Sequence, residues 1–245
     1  MKKKALLPAA WKAADTWILL FAWLFLSFFL YAELLDYVRI GPVFRVLLLL
    51  VIGLLCYLGG VLRVMRTGDP SFMRRLIFVF FVLYLYLLLS LTLLDATLRQ
   101  GSDSIYGTVD NERQVYLSRF FNPIPLRSIY HVYLRGFVKG YVSFYNTAVN
   151  LVGNLCVLIP FSFFLPHFFP KQRRWYWFLL SILAIALFIE LLQFLFMVGS
   201  CDVDDLILNT LGAFLGYGLL KLPPLRRLVK KATFGTAKKM PGKEA

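Results

Sequence analysis

Residues 175–201 read WYWFLLSILAIALFIELLQFLFMVGSC, a stretch whose one charged residue is Glu190. A helix that spans a bilayer needs roughly 17–25 mostly apolar residues. This stretch therefore reads as a membrane span, and the rest of the chain repeats the pattern. Thr16–Ala32, Val46–Leu62 and Leu76–Leu94 carry no charge, Gly140–Pro170 contains only His167, and Leu206–Leu220 is shorter but wholly uncharged. Hydrophobic residues make up 60% of the chain, against about half in an ordinary soluble domain. The fold class expected is all-α: a polytopic transmembrane helical bundle of about six spans. No polar stretch is long enough to build a separate soluble core. Lys2, Lys3 and Lys4 before an apolar run imitate a secretory signal, but Glu33-Leu-Leu-Asp36 follows where a small-residue cleavage site would stand. A retained first span is expected.

The net charge of +14 is distributed as the positive-inside rule demands rather than as a nucleic-acid surface. With the N-terminus inside, 19 of the 27 Lys and Arg fall on the cytoplasmic side. Both termini are then cytoplasmic, and no nucleic-acid partner is expected. Three segments follow: residues 1–75, a basic N-terminal segment with two spans; 76–222, a transmembrane domain with an external segment at 99–145; and 223–245, a basic tail set against anionic lipid headgroups. In the second span Gly53, Gly59 and Gly60 permit close helix contact. Within the external segment Phe120, Phe121, Ile124, Leu126, Ile129, Tyr130, Tyr133 and Phe137 alternate with Arg119, Arg127 and Arg135. That mixture suits a short helix or re-entrant stretch on the outer membrane face, punctuated by Asn122-Pro-Ile-Pro125. His131 and His167 read as interfacial residues. Cys56 and Cys156 read as packing residues and Cys201 as lying near the outer surface, with no disulfide or thiolate metal site.

Amides and carboxylates inside the apolar runs carry the functional signal, because polar groups in a span are costly and face a partner, a cavity or a ligand. Asn146, Asn150 and Asn154 share one helix face. Glu190 and Gln193 lie one turn apart in the fifth span, and Asp202, Asp204, Asp205 and Asn209 open the sixth. The inside-out count places all of them in the outer half of the membrane. Gly212 and Gly216 continue the polar side of the sixth span and would admit a neighbouring helix or a lipid chain. Capping of a helix N-terminus is the simpler account of the aspartates, so no metal is assigned. Glu190 needs a partner from another helix, and Asn150, Asn154 and Asn209 are candidates by depth. Interhelical glue and a functional pocket both remain open for this cluster. No Ser-His-Asp arrangement, Gly-rich phosphate loop or His cluster occurs at motif spacing, and no cofactor is expected.

The same residues resemble a known family. Asn122-x-x-Pro125-x-Arg127-x-Ile129, Asn150-Leu-Val-Gly153-Asn154 with Pro160, Glu190-Leu-Leu-Gln193, and Asp202-Val-Asp-Asp205-Leu-Ile-Leu-Asn209-Thr-Leu-Gly212 with Gly216 and Tyr217 are similar, in order, to the motifs of the VanZ family. The resemblance covers roughly Leu76–Leu220. Many members carry an arginine shortly before the acidic motif; this chain has Val198-Gly-Ser-Cys201, which argues against a role needing a cation beside Asp202. The family takes its name from low-level resistance to teicoplanin, a glycopeptide that acts on cell-wall precursors outside the cytoplasmic membrane. The resemblance implies a multi-pass protein of the bacterial cytoplasmic membrane. Its partner would be a membrane lipid or lipid-linked envelope precursor, bound or shielded at the outer leaflet. Asn150, Asn154, Glu190, Gln193, Asp202, Asp205, Asn209 and Arg127 are the binding candidates. An enzyme modifying such a lipid, with Glu190 as catalytic acid or base, is the alternative. A lipid transporter ranks third, since no internal repeat is found.

Overall fold

The computed structural model describes residues 14–34, 42–94, 116–118, 120–130, 138–140 and 144–237. Among them, six helices are long and apolar enough to cross a membrane. They are α1 (Ala14–Leu34), α2 (Pro42–Thr67), α3 (Ser71–Leu89, continued by a π-helical turn at Ser90–Leu94), the pair α4 (Phe144–Val157) and α5 (Phe161–Phe168) that together make one span, α6 (Trp175–Phe196) and α7 (Val203–Lys221). A last helix, α8, covers Pro223–Ala232, and two two-residue strands, β1 (Phe121–Asn122) and β2 (Cys201–Asp202), complete the elements used below. His131 lies outside the described residues, as do Tyr133, Arg135 and Phe137.

Large apolar side chains are exposed along every span: Leu180, Leu187, Phe188, Leu191 and Leu195 on α6, for example. In water such a surface would aggregate, whereas in lipid it is the required outer face. Only a narrow stripe is buried. On α6 it runs Phe178, Ile182, Ala186, Ile189 and Glu190, the spacing that keeps one helix face toward its neighbours.

The chain divides into two compact units, with breaks at Leu87/Leu88 and Arg227/Leu228. In the first, α1 and α2 run antiparallel and are tied at both ends. Arg66 at the end of α2 donates to Asp15 at the start of α1 at 2.8 Å, and Arg45 pairs with Glu33 at the other end. Tyr86 of α3 also donates to Glu33. Gly59 and Gly60 have the predicted role, since a Cβ there would meet Leu19 at 2.8 Å and Leu76 at 2.5 Å. Gly53 does not: among the described residues nothing lies within 4 Å of its Cβ position, because it faces away from the contact. Gly68, at φ +71°, ends α2, and Asp69 accepts from the Ser71 N–H at 2.9 Å to open α3. Those bonds to Ser71 hold the Asp69 carboxyl below its ordinary pKa.

In the second unit α7 packs against α4, α5 and α6. The fourth span breaks at Leu158–Pro160, as expected of a residue that has no N–H and clashes with the preceding turn. Short-range bonds such as Ser162 N to Ile159 O at 2.8 Å carry the chain through the break. Gly212 and Gly216 set the α7 packing. A Cβ on Gly212 would lie 1.6 Å from the Leu155 carbonyl oxygen, and one on Gly216 would lie 3.0 Å from Ser162 Oγ. The small-residue stripe therefore admits a protein helix. At the far end of α7, Tyr217 stacks on Phe178 at 4.3 Å and donates to the Arg173 carbonyl at 2.6 Å.

Candidate functional site

The acidic corner between α6 and α7 is built from the backbone outward. α6 closes on Met197 in the left-handed region (φ 51°), followed by Gly199 at φ +65°, and the chain then extends through β2. β1 pairs with β2 in parallel, Phe121 opposite Cys201 and Asn122 opposite Asp202. The Cys201 N–H donates to the Phe120 carbonyl at 2.9 Å. Aromatic rings back the strand: Phe194 of α6 lies 5.7 Å from Phe121 and 6.4 Å from Tyr116, and Tyr116 is fully buried. The described part of the external segment is thus a strand and turn docked on the α6–α7 connection. Helical residues at 116–118 and 127–130 flank it.

Each carboxylate of the corner has a defined partner. Asp202 is extended (φ −130°, ψ 124°) and caps α7, accepting from the Asp204 N–H at 2.9 Å. It also accepts from Asn122 Nδ2 at 2.9 Å and from the Ser128 hydroxyl. Asp204, with no exposed surface, accepts the backbone N–H groups of Leu126 and of Ile129, the latter at 3.0 Å. Hydrogen bonds to a charged acceptor contribute about 1.5–3 kcal/mol each, so the two aspartates fasten residues 122–130 as a clasp. The clasped turn suits its acceptors. Pro123 and Pro125 offer no N–H, Ile124 N donates to Asn122 Oδ1 at 3.2 Å in an Asx turn, and Leu126 adopts φ 64°, a conformation rare for a branched side chain.

Glu190 is buried, at 6% exposed, and accepts the Asp202 N–H at 3.0 Å. Its partner is therefore a backbone donor at the helix cap, not one of the three asparagines expected from depth. The physical reason is local: an extended N-cap residue leaves its own N–H outside the helix ladder, and the carboxylate one helix away satisfies it. Glu190 also faces the Cys201 thiol, which is pushed up to about 11 by burial first, then by the charge of Glu190 and the bond to it, and by Asp202 and Asp205. Asn154 of α4 donates instead to Asp205. Gln193 turns toward the π-helical segment, its Nε2 donating to the Thr92 carbonyl at 3.2 Å, while its backbone carbonyl receives the Tyr116 hydroxyl at 3.4 Å. Asn209 is 5% exposed, and its Oδ1 is buried without a hydrogen-bond partner among the described residues. Asn150 is exposed. Asn146 is helical, and its side chain lies outside the described set.

Arg127 stands apart from this network. It lines a shallow, open recess of about 530 Å³ with Ile124, Pro125, Leu126 and Tyr130, all of them exposed. The structure thus brings together Glu190 with Asp202 and Asn154 with Asp205, and separates both pairs from Arg127. Asn122, Ser128 and Asp204 are the participants that the binding candidates omitted. Asn122 has a signal, since Asn before Pro starts turns; nothing in the sequence marks Ser128.

Six helices long and apolar enough to cross a membrane, with polar groups buried among the last of them, define a multi-pass membrane protein. Residues 78–225 match the VanZ/LLP1 family, and the chain belongs to that family. It is 36% identical over 79 residues to Protein VanZ of Enterococcus faecium, a match covering 29% of this chain and 45% of that relative. The chain thus spans less than half the length of the curated relative it matches. No solved structure matches.

Proposed function

We propose that this protein binds a lipid-linked component of the cell envelope at the membrane face carrying residues 120–130, and shields it from glycopeptides such as teicoplanin. The supporting observation is the recess formed by Ile124, Pro125, Leu126, Arg127 and Tyr130. It joins apolar walls, suited to a lipid chain, to one guanidinium suited to a phosphate or carboxylate. Asp204 holds its backbone and Asp202 holds the Asn122 and Ser128 side chains on either side of it, so the ligand would meet a preorganised turn. Glu190, engaged with the Asp202 N–H, then positions the cap of α7 and with it the clasp. Likeness to a protein named VanZ supports the antibiotic connection, and the excess of Lys and Arg at the opposite loops supports an outward-facing recess.

The test is teicoplanin susceptibility of a sensitive Gram-positive host carrying empty vector, wild type, Arg127→Ala or Glu190→Ala at matched membrane levels. Wild-type protection lost in both variants is the expected result. Protection that survives Arg127→Ala would remove the recess from the function.

A further inference from the structure

At the end of α7 away from the clasp the chain makes a second, unrelated surface. The 19 residues of α7 separate the two ends by about 28 Å, close to the thickness of the hydrocarbon layer. Leu222 takes an extended conformation (φ −59°, ψ 135°) ahead of Pro223 and Pro224, which ends one helix and starts the next. The new helix, α8, is strongly two-faced. Leu225, Leu228, Val229 and Ala232 fall on one side at helical spacing, and Arg226, Arg227, Lys230 and Lys231 on the other. All four cations are exposed, and so is Leu228 at the border of the apolar side.

Residues 221–237 contain five Lys or Arg and no Asp or Glu, so the helix has no acidic complement of its own. Lys221 sits over the Tyr217 ring at 4.2 Å. Arg173, in the turn before α6, has its pKa lowered by burial and then by the charge of Arg226; two guanidinium groups approach closely enough to repel. An anion beside them would relieve that repulsion. The helix end is fixed rather than frayed: Gly235, at φ +66°, donates to the Lys230 carbonyl at 2.9 Å, and Tyr57 of α2 donates to the Ala232 carbonyl at 3.2 Å.

We propose that α8 is an interfacial helix that gathers anionic phospholipid, with Arg226, Arg227, Lys230 and Lys231 on the headgroup phosphates and Leu225, Leu228 and Val229 toward the acyl boundary. A bilayer satisfies both faces at once, which a soluble polyanion would not. The surface is separate from the clasped recess, and its test does not depend on that reading.

The full chain is reconstituted in nanodiscs of phosphatidylcholine with or without phosphatidylglycerol. Two quantities are read: association of spin-labelled phosphatidylglycerol relative to spin-labelled phosphatidylcholine, and amide exchange within α8. Wild type should select phosphatidylglycerol about threefold or more, and lose that selectivity in about 1 M salt. The variant Arg226→Gln, Arg227→Gln, Lys230→Gln, Lys231→Gln should show none. In wild type, whose folding is not in question, α8 exchange should slow about tenfold when phosphatidylglycerol is present. Equal selectivity in wild type and variant, or α8 exchange indifferent to the anionic lipid, overturns the proposal. So would slowing of α8 exchange by an acidic peptide but not by phosphatidylglycerol.

Discussion

The Glu190 carboxylate accepts the backbone N–H of Asp202 at 3.0 Å, and Asp202 in turn caps α7 and holds Asn122 and Ser128. A buried acid in one span thereby orients the cap of the next, and the cap orients a turn 80 residues earlier in the chain. Glu190 acts here through the main chain.

Asp204→Ala should leave the N–H groups of Leu126 and Ile129 without acceptors and cost the clasp about 3 kcal/mol. Amide exchange at those two residues is the measurement, with acceleration of about a hundredfold expected. Unchanged protection would show that the turn is held by something else. Asp204→Asn, which keeps one acceptor, should fall between.

Gly212→Ala should destabilise the second unit far more than Gly216→Ala. The first drives a methyl into the Leu155 carbonyl, which is backbone and moves only with its helix; the second meets the Ser162 hydroxyl and Ile159, which can yield. Losses of about 3 kcal/mol and about 1 kcal/mol are expected from overpacking of these two kinds. Thermal unfolding in detergent compares them, and equal losses would contradict the packing described.

Asp15→Ala should cost the α1–α2 hairpin about 1–2 kcal/mol, because it removes a charge-assisted bond to Arg66, whose side chain is 30% exposed and is left partly solvated. A double-mutant cycle with Arg66→Ala isolates the pair. A coupling energy near zero would reduce the ion pair to a bystander.

Cys201 should react slowly with maleimide near neutral pH. Its thiol is shifted up to about 11, so the thiolate fraction keeps rising through about pH 10 without a plateau. Glu190→Gln removes the carboxyl group that raises the thiol pKa and should speed the reaction at a fixed alkaline pH. In a Cys56→Ala, Cys156→Ser background, a plateau near pH 9 would contradict the buried, acidic surroundings of the thiol.

Much of the fold is readable from composition alone, because lipid leaves few choices: a long charge-free run must be a helix that satisfies its own backbone. The break at Pro160 and the capping role of Asp202 follow from single-residue chemistry of the same kind. Gly212 was legible as a close-contact position, though not whether helix or lipid would approach; Gly53 has the same residue type, yet none of the described residues lies against its Cβ position. The clasp was not legible. Two-residue strands show no periodicity, and Asp204 binds main-chain groups that any residue types at 126 and 129 other than proline would offer. Depth alone made Asn154 a partner for Glu190, yet α7 turns Asp205 toward Asn154 and leaves Glu190 to the cap. Arg127 belongs to the same motif as Asn122 but points to a different surface.

The pairing of β1 with β2 also has a consequence for biogenesis. Its two strands are separated by the fourth and fifth spans, so residues 121–122 wait for their mate until Cys201 and Asp202 have been synthesised and delivered to the same end of the bundle. The turn carrying Arg127 therefore acquires its final form only after the membrane insertion of the spans between. Truncation anywhere before Asp204 would leave that turn unbuilt, however many helices had already been inserted.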